Sequence, residues 1–569
     1  MSIDFNYMIG GEAGQGVQSI GLLLSKILTR GGYYIFSDQD YESRVRGGHN
    51  FTRVRLKDAP VGAIAEPVQV LIALNRETIS LHRHELSANG IIVYDNEKVN
   101  IIDTNEEFLG LPLEKLAIEK GGNKIMANTV ALGAALGLIG FDVGIISGIL
   151  SQHFGEGQLT AGNIAAATAG YDAARESVKS RFQHISPLHS NSRILLTGNE
   201  AISLGAIASG CKFMAAYPMT PTTTIMEYLA AKSKDFGIAV VHAEDEIAAV
   251  HMAIGASYAG VRAMTATSGG GFCLMVEGLG LAAMTETPLV IVEGQRPGPA
   301  IGLPTRMEQG DLQFVLSAHH GDFPRVVLAP ATVEDCFWST IKAFNLAEKY
   351  QVPVIILTDH HLGSSYCTVE PFDLTKIIID RGLLYSGDDT EPPQYLRHRI
   401  TPTGISPRAF PGLGKALVVT DSDEHDEAGH LIEDAEIRKA QMDKRLNKYS
   451  GLKQEIGTPV SYGNEQAEVL LIGWGSTYGA LRETVDILQP DLKVRLLHLN
   501  ELWPFPSSSV EQALITSHFS YTIENNASGQ LARLIRMETG VKVTGTILKY
   551  DGRPFTPDFI ADAIRKERL

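Results

Sequence analysis

Residues 217–311 constrain the fold of this chain more than any other stretch. In them, short polar loops rich in Gly, Pro, Ser and Thr each follow an apolar, strand-like run, and most precede a helical pattern of small residues. Such alternation is typical of a parallel α/β sheet, in which the loops meet at the carboxyl ends of the strands, where ligands bind. Three loop side chains are therefore candidates for one site: the Thr220 hydroxyl, the Glu246 carboxylate and the Arg296 guanidinium.

The chain is predicted to contain three units of this α/β architecture, at residues 1–185, 193–385 and 456–569. The first begins as a βαβ unit, with a strand at 5–9, a glycine-rich turn, a helix ending near residue 29 and a strand at 33–36. Further strands of the first unit are expected at 68–73 and 90–94. Strands of the second are expected at 214–217, 238–242, 263–266, 289–293, 325–328 and 354–358, and those of the third at 468–473 and 494–499.

Residues 386–455 are polar and proline-rich, so they are predicted to be a linker or excursion without its own core. A charged helix is expected within them at 432–448. The acidic run at 421–427, which contains His425, is expected to be a solvated charged segment rather than a metal site.

Composition excludes several classes of protein. The net charge is −16 and no lysine- or arginine-rich run is present, which argues against nucleic acid as a partner. The four cysteines lack any CxxC spacing, so an iron–sulfur or zinc site within this chain is not expected, and their low number fits a reducing cytoplasm. Asp4 and Asn6 interrupt any signal-peptide pattern, and residues 129–150 are expected to form two buried helices rather than a membrane span.

Two glycine-containing loops of the first unit leave alternatives open. Residues 10–16 suit either an anion-binding turn or a bare strand-to-helix turn, and match a nucleotide fingerprint only loosely. Residues 42–49 place Ser43, Arg44 and Arg46 beside two glycines. A solvated loop is the default for such a segment, whereas two arginines can also bind a carboxylate or phosphate.

The candidate side chains of the second unit also have structural explanations. Glu246 is the first residue of a predicted helix. Acidic residues are common there because their charge interacts favourably with the positive end of the helix dipole, and the same explanation applies to Glu244. Arg296 precedes two prolines in a rigid loop, and it suits either a substrate carboxylate or a salt bridge between loops.

Taken together, these motifs resemble the 2-oxoacid:ferredoxin oxidoreductases, and more closely the alpha subunit of the 2-oxoglutarate type with its fused gamma domain. The resemblance covers nearly the whole chain and implies a gamma domain, a pyrimidine-type domain of a thiamine diphosphate enzyme and a transketolase C-terminal-like domain, all Rossmann-like and doubly wound. The motifs occur in order as a Gly-rich start, Tyr-x-Ser-x-x-Arg-Gly-Gly, Tyr-Pro-x-Thr-Pro, Glu-Asp-Glu-Ile-Ala-Ala, Thr-Ala-Thr-Ser-Gly, Gly-Gln-Arg-x-Gly-Pro, Pro-Thr-x-x-Glu-Gln-x-Asp-Leu and Glu-Asn-Asn-Ala-Ser-Gly-Gln.

The resemblance also implies roles for individual residues. Glu246 rather than Glu244 fits the pattern Glu-x-Ala-Ala, whose glutamate hydrogen-bonds the aminopyrimidine ring of thiamine diphosphate. Arg46 replaces a lysine of many relatives and would bind the distal carboxylate or coenzyme A. The remaining implied residues are Tyr217 and Pro218 at the cofactor, Thr220 and Arg296 at the 2-oxoacid carboxylate, and Ser43 and Arg44 at the substrate.

In this family a 2-oxoacid loses CO2 on the cofactor, coenzyme A takes the acyl group, and electrons pass singly through an iron–sulfur cluster to ferredoxin. This chain has neither the cysteines for the cluster nor a Gly-Asp-Gly…Asn motif for Mg²⁺ and the diphosphate. The resemblance therefore implies a beta subunit that carries Mg²⁺ and a [4Fe–4S] cluster, a dimer of alpha–beta heterodimers, and an alpha subunit that is inactive alone.

Three alternatives remain open at this point. A branched-chain or pyruvate enzyme of the same family would share every motif. A non-catalytic nucleotide- or CoA-binding scaffold is disfavoured by Thr220, Glu246 and Arg296 at predicted strand ends. A transketolase-like enzyme would require the diphosphate motif in the same chain. The sequence does not encode the physiological direction, oxidation or reductive carboxylation.

Overall fold

The structure is a computed structural model that describes residues 3–43, 47–101, 107–178, 181–188, 193–387 and 395–567. The chain forms two compact units. The first comprises the residues up to Thr197, together with Ser364–Phe372 and Thr556–Phe559. The second comprises Gly198–Gly363, Asp373–Phe555 and the residues from Ile560 onward.

The strands of the described residues form three sheets. In chain order they are β1 (Asp4–Glu12), β2 (Tyr34–Asp40), β3 (His49–Lys57), β4 (Val68–Ala73), β5 (Leu86–Asp95), β6 (Phe108–Leu111), β7 (Ile194–Thr197), β8 (Cys211–Ala216), β9 (Ala239–His242), β10 (Arg262–Thr267), β11 (Leu289–Gln295), β12 (Val326–Leu328), β13 (Pro353–Asp359), β14 (Tyr366–Val369), β15 (Val460–Gly463), β16 (Val469–Trp474), β17 (Val494–Leu499), β18 (Glu501–Trp503), β19 (Phe519–Glu524) and β20 (Gly545–Leu548).

The α-helices alternate with the strands along most of the chain. They are α1 (Val17–Arg30), α2 (Arg76–His82), α3 (Leu113–Leu116), α4 (Ala127–Leu138), α5 (Val143–Phe154), α6 (Gln158–Ser177), α7 (Gly198–Ala208), α8 (Thr223–Phe236), α9 (Glu246–Tyr258), α10 (Gly269–Met284), α11 (Leu312–Ser317), α12 (Val333–Tyr350), α13 (His360–Ser364), α14 (Ala435–Glu455), α15 (Tyr478–Leu488), α16 (Ser507–Ile515), α17 (Gln530–Thr539) and α18 (Pro557–Glu567).

The first unit contains an eight-stranded sheet of order β6-β5-β4-β1-β3-β2-β14-β7. The predicted strand–helix–strand start is present, but β3 lies between β1 and β2 and pairs antiparallel with both. The sequence did not predict β3 because cations interrupt its apolar pattern. Arg55 is nevertheless buried, since its Nε and Nη2 donate to Asp4 at 2.9 and 2.7 Å. The sequence also missed β6, β7 and β14 of this sheet, and β14 pairs on one side with β2, whose residues lie more than 300 positions earlier in the chain.

Residues 129–150 form two helices, α4 and α5, as predicted. α4 is buried along nearly its whole length, whereas α5 buries Ile146, Ile149 and Leu150 and exposes its opposite face. Within the residues that the structure describes, no helix combines the length and apolar character that a membrane crossing requires.

The second unit contains a seven-stranded sheet of order β18-β12-β13-β11-β10-β8-β9, in which every neighbouring pair is parallel except β12 and β18. All six strands predicted for residues 193–385 are observed, each within three residues of its predicted ends. They were predictable because central parallel strands are covered on both faces and so read as continuous apolar runs.

A five-stranded sheet of order β15-β17-β16-β19-β20 completes the second unit. It contains both strands predicted for the C-terminal region, observed as β16 and β17, which pair in parallel. Trp474, the last residue of β16, is among the largest fully buried side chains of the protein.

The prediction that the acidic run at 421–427 is solvated is wrong for His425, although Ser422 and Asp423 of the run are exposed. His425 is fully buried, and its ring centroid lies 3.9 Å from that of His398. The neighbouring Glu424 accepts hydrogen bonds from both terminal nitrogens of Arg445, at 2.9 and 2.7 Å. These contacts bury His425 within a segment whose composition is typical of an exposed one.

The charged helix, predicted at 432–448, is α14 at Ala435–Glu455, and one of its faces is directed inward. Lys444 and Lys448, one helical turn apart, are buried, and their Nζ atoms lie 2.5 and 2.6 Å from the two carboxylate oxygens of Glu286. His398 Nδ1 lies 2.9 Å from the first of these oxygens. A single buried carboxylate from the end of α10 therefore fixes residues 395–455 to the seven-stranded sheet layer.

Candidate functional site

The candidate residues of the second unit follow four adjacent strands of the seven-stranded sheet. In the order β11-β10-β8-β9 these strands are parallel, so their carboxyl ends lie along one edge. The loops that leave this edge are residues 217–222, 243–245 and 268, together with Arg296 and the residues after it. This edge is where parallel α/β sheets bind ligands.

Thr220 and Arg296 are in direct contact. Arg296 Nη1 donates a 2.7 Å hydrogen bond to the backbone carbonyl of Thr220. The approach is close because Gly294 lacks a side chain: a Cβ at this position would lie 2.8 Å from Pro221 Cγ. Asn199 Nδ2 fixes the other side of the loop by donating to the Pro221 carbonyl at 2.8 Å. The loop after β8 and the end of β11 therefore form one rigid unit.

The Arg296 guanidinium is half-buried and remains a strong donor for an anion. Burial lowers the pKa of Arg296, and the charge of Asp311 opposes that shift. A guanidinium carries five N–H donors, and the Thr220 carbonyl takes one of them. The planar fork suits bidentate binding of a carboxylate.

Glu246 is the first residue of α9 and is buried, with 4% of its surface exposed, whereas Glu244 is exposed. Asp245 caps the helix by accepting a 2.7 Å hydrogen bond from the Ala248 amide. The Glu246 side chain lies against the first turn of α10, because a Cβ at Gly271 would be 2.4 Å from its Oε1.

Oε1 of Glu246 has no hydrogen-bond partner among the described residues. A buried carboxylate oxygen without a donor is costly. The position therefore suits a ligand that brings a hydrogen-bond donor to this oxygen.

The other predicted site residues make fewer contacts. Tyr217 is exposed, with its ring edge-to-face against His242 at a centroid distance of 6.2 Å, and Pro218 is half-buried. Ser43 is exposed in the first unit. Arg44 and Arg46 lie outside the described residues. The structure thus brings Thr220 and Arg296 into contact and places Glu246 on the same sheet edge.

Two acidic residues beside Arg296 were not identified from the sequence. Glu293 lies three positions before Arg296 on β11 and is fully buried, and Asp311 donates its amide N–H to Gln295 Oε1 at 3.1 Å. The only sequence signal for them is their position within the Gly-Gln-Arg and Glu-Gln-x-Asp-Leu motifs. Their pairing depends on a loop that leaves the sheet and returns to it.

The loop that carries Asp311 is anchored on the C-terminal five-stranded sheet. The Gln309 amide donates to the Asn525 carbonyl at 2.7 Å, and the Asn525 amide donates to Gln309 Oε1 at 3.2 Å. Gln309 Nε2 donates to the Trp474 carbonyl at 2.9 Å. The Glu-Asn-Asn-Ala-Ser-Gly-Gln motif therefore has a structural role, since it holds this loop at the candidate site.

Three family profiles match successive parts of the chain. The profile described as "Pyruvate ferredoxin/flavodoxin oxidoreductase" matches residues 6–173. The one described as "Pyruvate flavodoxin/ferredoxin oxidoreductase, thiamine diP-bdg" matches residues 204–444. The one described as "Pyruvate:ferredoxin oxidoreductase core domain II" matches residues 467–560.

Curated proteins and a solved structure are similar over most or all of the chain. The 2-oxoacid:ferredoxin oxidoreductase subunit alpha of Sulfolobus sp. is 33% identical over 99% of this chain and 96% of its own length. The 2-oxoglutarate synthase subunit KorA of Methanothermobacter thermautotrophicus is 35% identical over 65% of this chain and 98% of its own length.

The solved 2-oxoglutarate:ferredoxin oxidoreductase from Magnetococcus marinus, with 2-oxoglutarate, coenzyme A and succinyl-CoA bound, covers 100% of both chains at 33% identity and a TM-score of 0.93. With the full-length match to the Sulfolobus subunit, this agreement shows that the chain belongs to the 2-oxoacid:ferredoxin oxidoreductases, as an alpha subunit.

Proposed function

We propose that this chain is the alpha subunit of a CoA-dependent 2-oxoglutarate:ferredoxin oxidoreductase that converts 2-oxoglutarate, reversibly, to succinyl-CoA and CO2. The observation that carries the proposal is the sheet edge where the Arg296–Thr220 contact and the unpartnered Glu246 oxygen occur together. The similarity to a 2-oxoglutarate synthase subunit and to a structure with 2-oxoglutarate bound supports this substrate. The alternative is a pyruvate or branched-chain 2-oxoacid enzyme, because the descriptions of the matching family profiles name pyruvate as the substrate.

The site fits thiamine diphosphate, because Glu246 Oε1 is buried and lacks a donor that an aminopyrimidine ring would supply. When bound, this cofactor supplies the carbanion that attacks the 2-oxo carbon and accepts the electron pair left by CO2. In this proposal Glu246 holds the ring by a hydrogen bond, and Tyr217 and Pro218 lie beside it.

Arg296 and Thr220 then bind and orient the substrate. The Arg296 guanidinium takes the carboxylate next to the 2-oxo group, while its hydrogen bond to the Thr220 carbonyl fixes the direction of the fork. The Thr220 hydroxyl is an uncharged donor on the same loop and suits the 2-oxo oxygen. Fixed donors of this kind lower the barrier by removing the need for reorganisation during the reaction.

The proposed domain organisation follows the sequence units: a gamma domain at 1–185, a pyrimidine-binding domain at 193–385, a connecting segment at 386–455 and a transketolase C-terminal-like domain at 456–569. A beta subunit would supply Mg²⁺, the [4Fe–4S] cluster and the path to ferredoxin, within a dimer of alpha–beta heterodimers. The motive is the cysteine pattern of this chain, which has four cysteines and no CxxC spacing.

The outer face of α9 and α10 suits this beta subunit. It exposes Ile247, Met252 and Leu274, by 48%, 37% and 49% of their surfaces. No described atom outside the helix lies within 4 Å of a Cβ built on Gly255. Exposed apolar side chains beside a glycine allow another protein to approach closely.

We expect Gly255→Leu to leave the chain folded and to weaken its complex with the beta subunit about 5- to 150-fold, the equivalent of 1–3 kcal/mol of overpacking. Gly148→Leu is the matched control, because Gly148 also lies inside a helix with open space beyond it. Titration of each alpha variant with purified beta subunit measures the affinity. Unchanged binding by Gly255→Leu would place the beta subunit elsewhere.

The substrate assignment predicts that Arg44→Ala or Arg46→Ala lowers kcat/KM for 2-oxoglutarate about 10- to 150-fold more than kcat/KM for pyruvate. The reason is that a dicarboxylate needs a second cation for its far end, and a charge-assisted hydrogen bond contributes about 1.5–3 kcal/mol. The measurement is CoA-dependent dye reduction by the alpha–beta complex with both substrates. A parallel fall for both would mean that these arginines serve coenzyme A or folding instead.

A further inference from the structure

Glu293 is a buried carboxyl group for which the proposed mechanism has no role. It is fully buried in β11, between β10 and β13. Among the described residues, no N–H group and no hydroxyl donates a hydrogen bond to either of its carboxylate oxygens. An ionised carboxylate in such a place is strongly disfavoured. The structure therefore requires either a proton on Glu293 or a compensating charge beside it.

The charged group with the largest influence on Glu293 is another acid, Asp311. Glu293 and Gln295 are two residues apart and so lie on the same face of β11. Gln295 Oε1 accepts the Asp311 amide N–H at 3.1 Å, and the side chains of Glu293 and Asp311 are within hydrogen-bonding distance of each other. Two carboxyl groups at this distance share one proton, because an ionised carboxylate can only accept a hydrogen bond and its partner must be protonated to donate one.

The position of α10 decides which group carries the proton. A Cβ at Gly269, the first residue of α10, would lie 2.4 Å from Asp311 Oδ2, so the Asp311 carboxylate lies at the N-terminus of this helix. A helix N-terminus favours a negative charge. Burial raises the pKa of Asp311, and the hydrogen bond from Glu293 and the charge of Arg296 oppose that shift.

We propose that Glu293 remains protonated at neutral pH and donates a hydrogen bond from its carboxyl O–H to the Asp311 carboxylate, so that Arg296 faces one negative charge rather than two. This inference rests on the proposed role of Arg296 in binding the 2-oxoacid carboxylate. Glu293 is then a positioning residue: its proton keeps Arg296 available to the substrate. Loss of the proton would place a second anion beside Arg296 and repel the incoming carboxylate.

The charged and titratable groups around Glu293 are a further reason for it to keep its proton. They are Asp311 in the loop before α11, Asp359 at the end of β13, Cys273 on α10 and Arg296 after β11, with Glu308 of the same loop beside Asp311. Arg296 is the only cation among these five groups. Burial, followed by the Asp311 charge, raises the pKa of Glu293 well above its usual range and that of Glu308 to about 7.

The pH dependence has a definite sign. A carboxyl group whose pKa is raised by folding stabilises the protein in its protonated form, and that contribution is lost as the pH rises through the raised value. KM for the 2-oxoacid should therefore rise on the alkaline side, by about tenfold for each pH unit above the pKa of Glu293. In Glu293→Gln the side chain remains an uncharged donor, so this rise should disappear while activity at neutral pH stays within about threefold.

Infrared spectroscopy of the alpha–beta complex tests the proton directly. At mildly alkaline pH we expect the wild-type enzyme to show the C=O stretch of a protonated carboxyl group, and the difference spectrum against Glu293→Gln to contain that band. Glu246→Gln should keep the band, which separates this inference from the proposed function. If Glu293→Gln leaves the protonated-carboxyl band unchanged, or if KM keeps its alkaline rise, Glu293 is ionised or without influence on Arg296 and the proposal is overturned.

Discussion

Glu246→Gln is expected to lower kcat of the alpha–beta complex by about 100-fold or more while the fold and the assembly remain intact. Glutamine keeps the length and a hydrogen-bonding oxygen but loses the charge that makes the wild-type oxygen a strong acceptor. No other described residue can take over the role of this carboxylate, since Glu246 Oε1 is buried and has no hydrogen-bond partner among the described residues. The assay is steady-state dye reduction, with circular dichroism and gel filtration to establish folding and assembly.

Glu244→Gln is the matched control because Glu244 lies two residues earlier and is exposed. It should keep nearly full activity. The opposite result, a full loss in Glu244→Gln and full activity in Glu246→Gln, would assign the cofactor contact to Glu244.

A second pair of variants tests the position of Glu246 without changing its charge. A Cβ at Gly271 would lie 2.4 Å from Glu246 Oε1 and 2.1 Å from Thr267 Oγ1, whereas Gly270 faces open space with only one atom near, at 3.9 Å. Gly271→Ala should therefore displace the carboxylate and reduce kcat, while Gly270→Ala should not. Equal effects of the two would show that helix propensity rather than the Glu246 position is responsible.

Glu286→Gln is expected to lower the free energy of unfolding of the second unit by about 3–5 kcal/mol. The reason is that Lys444 and Lys448 would remain buried without the carboxylate that pairs with both of them. Burial alone would raise the pKa of Glu286, but the two lysine charges and the His398 hydrogen bond hold it well below its usual range. The stability that Glu286 contributes is therefore present above its unfolded-state pKa and is lost as the pH falls through the lowered value.

Urea denaturation of wild type and Glu286→Gln measures this difference. Asp443→Asn on the same helix is the control, since Asp443 pairs with Lys439 at 2.8 Å on the exposed face of α14. An exposed pair of this spacing contributes little to stability, so the control should remain close to wild type. Similar losses in both variants would contradict a special role for the buried carboxylate.

Much of the second unit was predictable because its signals are local. Six strands were located from apolar runs bounded by polar loops, and the loops that carry Thr220, Glu246 and Arg296 follow those strands as the parallel-sheet rule requires. The β3 and β14 strands were missed because they lack such a local signal. Cations interrupt the apolar pattern of β3, and β14 is a four-residue segment whose sheet partners lie more than 150 residues earlier in the chain.

The sequence alone thus determined the α/β class, the strand ends that carry the candidate site and the family resemblance, since each depends on residues close together in the chain. Only the tertiary structure decided which charges are buried. His425, Lys444 and Lys448 read as solvated, and Glu293 read as part of an apolar strand, until Glu286 and Asp311 were placed beside them. The physical reason is that a charge tolerates burial only next to a partner, and these partners come from distant segments of the chain.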